Sequence, residues 1–297
     1  MDQAIRKAEA LVEAHQYIRD FKDKIVVIKV GGSIMDEPET LNRLLDDVSF
    51  MWTVGMRPIL VHGGGKGITE AMRAAGLEAQ FVQGRRYTDE RTLAIAEHVL
   101  VEQINRLMVE RLRHDRAPGM GLHSLSSCVV FAERLMLEAE GGRKIDIGLV
   151  GQVTHVNDEL LRALIEGDYI PVIAPIARDR AGGKLNINAD SVAGYVAAAT
   201  KAEKLVLVSD THGIRRSENP DDLATHLSRS EIEGLIESGV ISAGMLPKVE
   251  ASLVALEGGV RKAHIIDGRI PHALLLEVYT DRGIGTEIVL EEAVPQP

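Results

Sequence analysis

The sequence predicts an α/β protein built on a mainly parallel sheet, and three observations carry that expectation. Short apolar runs of strand length alternate with stretches of helical spacing along nearly the whole chain of 297 residues, the rhythm that repeated strand–helix–strand units produce. Two of those runs break straight into glycines ahead of a helix-like stretch, Ile25-Val26-Val27-Ile28-Lys29-Val30-Gly31-Gly32-Ser33 and Ile59-Leu60-Val61-His62-Gly63-Gly64-Gly65-Lys66, as strands of such sheets do where the backbone must approach a ligand. The composition, 45% hydrophobic and 26% charged, suits a globular chain able to bury one large core or two modest ones.

Ile5, Ala8, Leu11, Val12, Ile18 and Phe21 recur at helical spacing among charged residues, so an amphipathic helix over 4–21 precedes a strand at 25–30. Further strands are expected at about 57–61, 128–131, 170–174, 204–208 and 262–266, separated by helices near 40–53, 89–113, 158–166, 190–200, 230–238 and 247–257. The segment 140–157, with Gly141, Gly142, Gly148 and Gly151, reads as hairpin or loop. Arg178-Asp179-Arg180-Ala181-Gly182-Gly183 reads as a polar turn, which places a boundary at about 180–186. The chain then divides into an N-terminal helix, 1–24, and two lobes, 25–185 and 186–297.

Lys and Arg number 34 against 44 Asp and Glu, a formal charge of -10. That balance argues against a sequence-independent grip on nucleic acid or an anionic membrane surface, and no apolar run approaches the roughly 20 residues of a spanning helix. A small anion bound here needs a locally positive site. Cys128 is the only cysteine, so an intramolecular disulfide is excluded and a cytoplasmic setting is expected. Its neighbours Val129, Val130 and Phe131 mark it as a packing residue in a buried strand.

Without Cβ atoms, the two glycine turns can aim successive N–H groups at one point, and the helix behind each adds the positive end of its dipole. Lys29, at the end of the first strand, makes phosphate the natural ligand. Neither turn is a Walker loop: Lys66 follows Gly65, but Leu60 stands where the first glycine belongs and Gly67 where the hydroxyl belongs. Gly119-Met120-Gly121-Leu122-His123-Ser124 falls short of a dinucleotide fingerprint, and 113–118 ahead of it reads as a charged loop. In Asn186-Ile187-Asn188-Ala189-Asp190, alternation puts three polar side chains on one side, with Asp190 placed to cap the helix that follows. Gly244-Met245-Leu246-Pro247-Lys248 sets a lysine just past a helix-starting proline, within reach of a ligand at that helix end.

Seven segments in order, Lys29 to Gly32, His62 to Gly65, Gly84 to Asp89, Asp146 to Gly151, Asn186 to Asp190, Gly244 to Lys248 and Gly283 to Thr286, resemble the amino-acid kinase family, and within it the acetylglutamate kinases, over roughly residues 8–290. The resemblance implies a three-layer α/β/α sandwich whose N-terminal lobe holds an acyl amino acid and whose C-terminal lobe holds ATP. It implies phosphorylation of the side-chain carboxylate of N-acetyl-L-glutamate, the second step of arginine biosynthesis. Such a nucleophile is ionised at neutral pH and needs no general base, so positioning and charge stabilisation suffice.

Carried onto this chain, Lys29 and Lys248 are the catalytic lysines and Asp190 orients both. Gly31, Gly32 and Gly63 hold phosphate, while Gly64, Gly65, Arg86, Asn186 and Asn188 hold the substrate, Arg86 on its α-carboxylate and Asn188 near its acetamido group. Ser209, Asp210, Gly213, Ile214, Gly244 and Met245 surround the nucleotide. Mg2+ enters with ATP, held by its oxygens and water, so no metal-ligating residues are expected. The first helix is similar to the extra helix of arginine-inhibited members, which implies a homo-oligomer, dimer or hexamer, and an L-arginine site with Tyr17, His272, Glu277 and Gly285 as candidate contributors. Departures from the family pattern are 122–127 in place of a glycine-rich turn with an aspartate, Glu102 for a usual glycine, and Lys66 where proline is common; the first two bear on substrate identity. Two rival readings stay open: a kinase of the same fold acting on another acyl amino acid or carboxylate, and a non-catalytic ligand sensor.

Overall fold

Valine and isoleucine dominate the strand Ile25–Val30, and β-branched residues suit a pleated strand packed on both faces. In the computed structural model this strand lies inside an eight-stranded sheet, between Lys204–Ser209 and Arg57–His62. Lys262–Asp267 continues the sheet on one side; Ile170–Ile173 and then the edge strand Gly119–Leu122 continue it on the other, all parallel. Thr286–Val289 joins antiparallel and carries His226–Ser228 beyond it. The structure describes residues 2–290 apart from 140, 218, 220, 221, 242, 243, 281 and 282, together with all side chains except some in the first helix, Ala8 and Leu11 among them, and that of Ser33. The end of the expected second lobe, 291–297, lies outside the described residues.

Alternation along Ile25–Val30 divides the core into two layers. Val26, Ile28 and Val30 pack with Leu44, Leu45 and Val48 of Pro38–Thr53, Met108 and Leu112 of Arg106–His114, and Leu274 and Val278 of Ala273–Val278. Val27 faces the other way, toward Leu161 of Asp158–Glu166, Val192 and Val196 of Ala189–Thr200, and Val249 and Leu256 of Leu246–Glu257. Burying each such side chain contributes about 1.5–3 kcal/mol, so the register of the central strand is firmly set. The result is the expected three-layer α/β/α arrangement, and Lys29, two residues after Val27, is delivered to the layer that begins at Ala189.

Three expectations need correction. The strand placed at 128–131 begins at Val130 and runs to Glu138; its hairpin partner Lys144–Val156 occupies most of the segment read as hairpin or loop. With Ile176–Arg178 and Lys184–Asn186 they close a small barrel, and the polar turn over 178–183 is the bend between the last two. Cys128 therefore sits just ahead of the strand, half-buried, its thiol bonded to Val130 O at 3.1 Å and pushed up in pKa by burial. Gly119–Leu122 is a strand, hidden from the sequence reading by its glycines, which are depleted in strands. The helix expected over 89–113 is continuous but contains a π-type stretch, His98–Asn105, between Glu90–Glu97 and Arg106–His114.

Candidate active site

The carboxyl ends of the central strands meet the starts of three helices, the place where parallel sheets bind ligands. Lys29 is 6% exposed, and its Nζ pairs with Asp190 Oδ1 at 2.8 Å. Asp190 was expected to cap its helix, but the cap is Asn188, whose Oδ1 accepts from the N–H groups of Asp190 and Ser191. An Asx cap two residues earlier leaves the Asp190 side chain free to turn inward to the lysine. Burial alone raises the Asp190 carboxyl; the charges of Lys29 and Lys248 and the hydrogen bond from Lys29 outweigh it and hold the group below the ordinary carboxylate range.

Lys248 occupies the first turn of Leu246–Glu257 behind Pro247, with its Nζ 3.5 Å from Gly244 O. Among the described residues it makes no ion pair with Asp190, so Asp190 contacts Lys29 directly and acts on Lys248 only through space. Burial presses the Lys248 ammonium below its usual pKa; Asp190 opposes that and Lys29 adds to it.

The two glycine turns face each other across these charges. A Cβ on Gly32 would lie 3.5 Å from Gly65 N and 3.8 Å from Gly64 N, and one on Gly63 would lie 3.6 Å from Gly32 N. The backbone nitrogens of Gly32, Gly64 and Gly65 thus lie close together, and among the described residues their N–H groups meet no acceptor. Clustered unpaired N–H groups at two helix starts suit an anion, and the two turns together form a candidate anion cradle. Gly31 stands behind it, its N–H bonded to Val208 O at 3.0 Å.

Beside the cradle opens a cavity of about 240 Å³ whose walls include Lys29, Gly32, Gly63, Gly64, Gly65, Arg86, Asn186, Asn188 and Asp190. Every one of these is a residue for which the sequence implies phosphate, substrate or catalysis. Arg86 is 9% exposed. Its guanidinium donates to Gly65 O at 2.9 Å and Thr69 Oγ1 at 2.8 Å, and lies 4.8 Å from the centre of the Phe81 ring. Among the described residues it has no carboxylate partner, and burial disfavours its charged form. The Arg85 guanidinium reaches Glu250 at 3.9 Å, although the residue also borders the cavity. Asn186 donates to Thr88 Oγ1 at 3.3 Å. Thr69 and Phe81 were missed, since a threonine inside a helix and a phenylalanine in a short hairpin carry no periodic signal.

The residues assigned to the nucleotide are spread more widely. Asp210 lines an open cavity of about 600 Å³ that also meets Gly32, Gly65, Lys66 and Arg86. Ser209 ends its strand, 3.4 Å from Asp210, and Gly244 and Met245 lead into the helix of Lys248. Ile214 is buried in the core with its N–H bonded to Thr286 Oγ1 at 2.8 Å, and Gly213, at φ +139°, packs so closely that a Cβ would lie 2.4 Å from the same oxygen. Of the effector candidates, Tyr17, Glu277 and Gly285 share a cavity of about 750 Å³ with Glu203, Lys204 and His264. His272 stands apart, its Nδ1 2.7 Å from Asp47.

A parallel sheet ending in two glycine turns, a buried lysine–aspartate pair and a second lysine in the field of that pair suit phosphoryl transfer. Residues 24–267 match the model of the amino acid kinase family, and the chain belongs to that family. It is 46% identical over 287 residues to the acetylglutamate kinase of Methanothrix thermoacetophila, covering 96% of this chain and 99% of that one. Among solved structures it is similar to the N-acetylglutamate synthase of Neisseria gonorrhoeae complexed with coenzyme A and N-acetyl-glutamate (27% identity, TM-score 0.84), covering 96% of this chain and spanning 63% of that one. The same synthase complexed with coenzyme A and L-arginine matches at 26% identity and TM-score 0.80, over 96% of this chain and 65% of that one.

Proposed function

We propose that the protein transfers the γ-phosphoryl group of ATP to the side-chain carboxylate of N-acetyl-L-glutamate, giving the acyl phosphate and ADP, the second step of arginine biosynthesis. The observation that carries this reading is Arg86, a buried cation with no carboxylate partner among the described residues, set in the wall of a cavity beside an anion cradle. An uncompensated buried charge costs folding free energy, and its planar fork matches a carboxylate bidentately. In this reading Arg86 takes the α-carboxylate of the substrate. Asn188 has spent its Oδ1 on the helix cap, which leaves its Nδ2 to donate to the acetamido oxygen.

The γ-carboxylate then lies toward the cradle. Attack on phosphorus spreads charge over the equatorial oxygens, and Lys29, Lys248 and the N–H groups of Gly32 and Gly64 stabilise that charge. Asp190 holds the Lys29 ammonium in place. MgATP is the co-substrate and approaches from the side of Asp210, Gly244 and Met245, so that residues 25–185 serve mainly the acyl amino acid and 186–297 mainly the nucleotide. Gly213 and Ile214 shape that side from within the core.

We further propose that L-arginine binds the larger cavity, where Glu203, Glu277 and Glu287 offer carboxylates to a guanidinium. Tyr17 and Phe21 bring the first helix to that cavity, so the helix links effector binding to assembly of copies of this chain. The catalytic reading is tested by measuring ADP release with N-acetylglutamate, glutamate, aspartate, N-acetylaminoadipate and carbamate as acceptors. N-acetylglutamate is expected to give the highest kcat/KM. Preference for unacetylated glutamate or for carbamate would overturn the assignment.

A further inference from the structure

The reaction needs no general base, yet a fully buried histidine stands directly before the glycine cradle. His62 Nδ1 lies 2.9 Å from Gly63 O, and its Nε2 lies 3.1 Å from the Asn105 amide nitrogen, which also donates to Val172 O at 2.9 Å. A carbonyl oxygen only accepts, so Nδ1 carries the proton and Nε2 is the acceptor. Both Asn105 N–H groups are then used, and the ring has one tautomer and one orientation. Burial drives the imidazole pKa down to about 4, so the ring is neutral wherever the substrate carboxylate is fully ionised.

In a trans peptide the C=O and the following N–H point in opposite directions. Tethering the Gly63 carbonyl toward His62 therefore turns the Gly64 N–H away from His62 and toward Gly32. The platform beneath is the π-type stretch His98–Asn105, whose wide turn presents Leu100, Ile104 and Asn105 together. Leu100 and Ile104 each come within 2.7 Å of where a Gly64 Cβ would stand, and Asn105 Oδ1 within 2.4 Å of where a Gly121 Cβ would stand. The glycine at 121, left without a role by the failed dinucleotide fingerprint, makes room for Asn105.

We propose that His62 and Asn105 are positioning residues that aim the Gly64 N–H at the phosphoryl group in flight, acting through the Gly63 carbonyl. The aim at phosphorus rests on the kinase reading; the hydrogen-bond relay does not. Removing an oxyanion donor outright costs about 10²–10³ in kcat, so tilting one is expected to cost about tenfold or more, with the KM for N-acetylglutamate, set by Arg86, changed by less than about threefold.

Three variants and one spectrum test this. His62→Asn keeps an N–H donor where Nδ1 stands and retains most of kcat; His62→Leu loses the donor and about tenfold or more of kcat. Asn105→Leu removes the donor that holds Nε2, leaves the ring free to turn from Gly63 O, and lowers kcat similarly. Nitrogen-15 spectra of the histidine rings in the intact, substrate-free protein are expected to show His62 protonated at Nδ1 and bare at Nε2, with the Nε2 resonance moved in the Asn105→Leu variant, where its hydrogen bond is lost. A wild-type ring protonated at Nε2, or His62→Leu with normal kcat, overturns the relay. Should His62→Leu fail to fold, the other two decide, and equal kcat in both overturns it. The expected tautomer in a protein that phosphorylates no acceptor overturns the kinase reading instead.

Discussion

Replacing Arg86 with methionine removes a buried cation without orphaning a buried acceptor, because Thr69 Oγ1 still donates to Gly65 O at 2.9 Å. The sulfur end of the new side chain meets Met72, whose Sδ already lies 3.3 Å from the Arg86 guanidinium. Burial disfavours the charged guanidinium, and among the described residues no carboxylate compensates it, so the ligand-free variant is expected to melt at or above the wild-type temperature. Substrate binding moves the other way. Each charge-assisted hydrogen bond contributes about 1.5–3 kcal/mol, so losing a bidentate pair costs about 3 kcal/mol or more, at least about a hundredfold in affinity for N-acetylglutamate. In the wild type, a ligand at about a hundredfold excess over Kd stabilises by about 2.7 kcal/mol, a Tm rise of roughly 5–10 °C at about 2–4 °C per kcal/mol. That rise should vanish in the variant, while the KM for ATP stays within about twofold. A free variant that melts several degrees lower while binding N-acetylglutamate normally would mean that Arg86 is structural and the substrate lies elsewhere.

Lys29→Ala and Lys248→Ala are each expected to lower kcat far more than they weaken substrate binding, since their charge counts most in the transition state; single-turnover kinetics with near-normal transfer rates would remove them from the chemistry. Burial lowers the Lys248 pKa, so the cation the reaction needs is lost as pH rises through a value below that of an ordinary lysine. The alkaline fall in kcat therefore comes early, and Lys248→Arg, which stays protonated, should move it to higher pH; an unmoved limb assigns it to another group. Deleting residues 1–20 should abolish inhibition by L-arginine and reduce the oligomer to a smaller state while kcat survives. Reciprocity requires arginine and N-acetylglutamate to weaken each other by one factor, and light scattering with inhibition curves on both proteins would expose an arginine-indifferent intact enzyme.

The layers of the fold were legible because their signals are local. Apolar runs and helical periodicity placed Ile25–Val30, Arg57–His62, Lys204–Ser209 and the helices that cover them. What escaped depended on partners distant in sequence. Gly119–Leu122 has little strand propensity and is a strand because Ile170–Ile173 pairs with it. The long hairpin of the barrel carries glycines that left hairpin and loop undecided; Gly148, at φ +79°, lies so close to Thr88 that a Cβ would come within 2.2 Å of its carbonyl oxygen. The site was legible where one residue type implies one chemistry, as with Lys29 and Arg86. At Asp190 the residues alone suggest a helix cap and the resemblance implies a partner for the lysines; the two compete for one side chain, and only the position of Lys29 decides between them. His272 was drawn to the effector group by resemblance, whereas its partner is Asp47 on another helix. His62 carries no sequence signal of the positioning role proposed for it, because its ring partner Asn105 lies far along the chain and is itself held by Val172 O.

The central claim is that phosphorus passes from ATP to a side-chain carboxylate of an acetylated glutamate, and trapping the product with hydroxylamine tests it most directly. An acyl phosphate reacts to give a hydroxamate, which mass spectrometry assigns to one of the two carboxyl groups. One equivalent of γ-hydroxamate per ADP is expected, with Arg86 holding the α-carboxylate out of reach. ADP without hydroxamate, or a hydroxamate on the α-carboxyl, would contradict that claim.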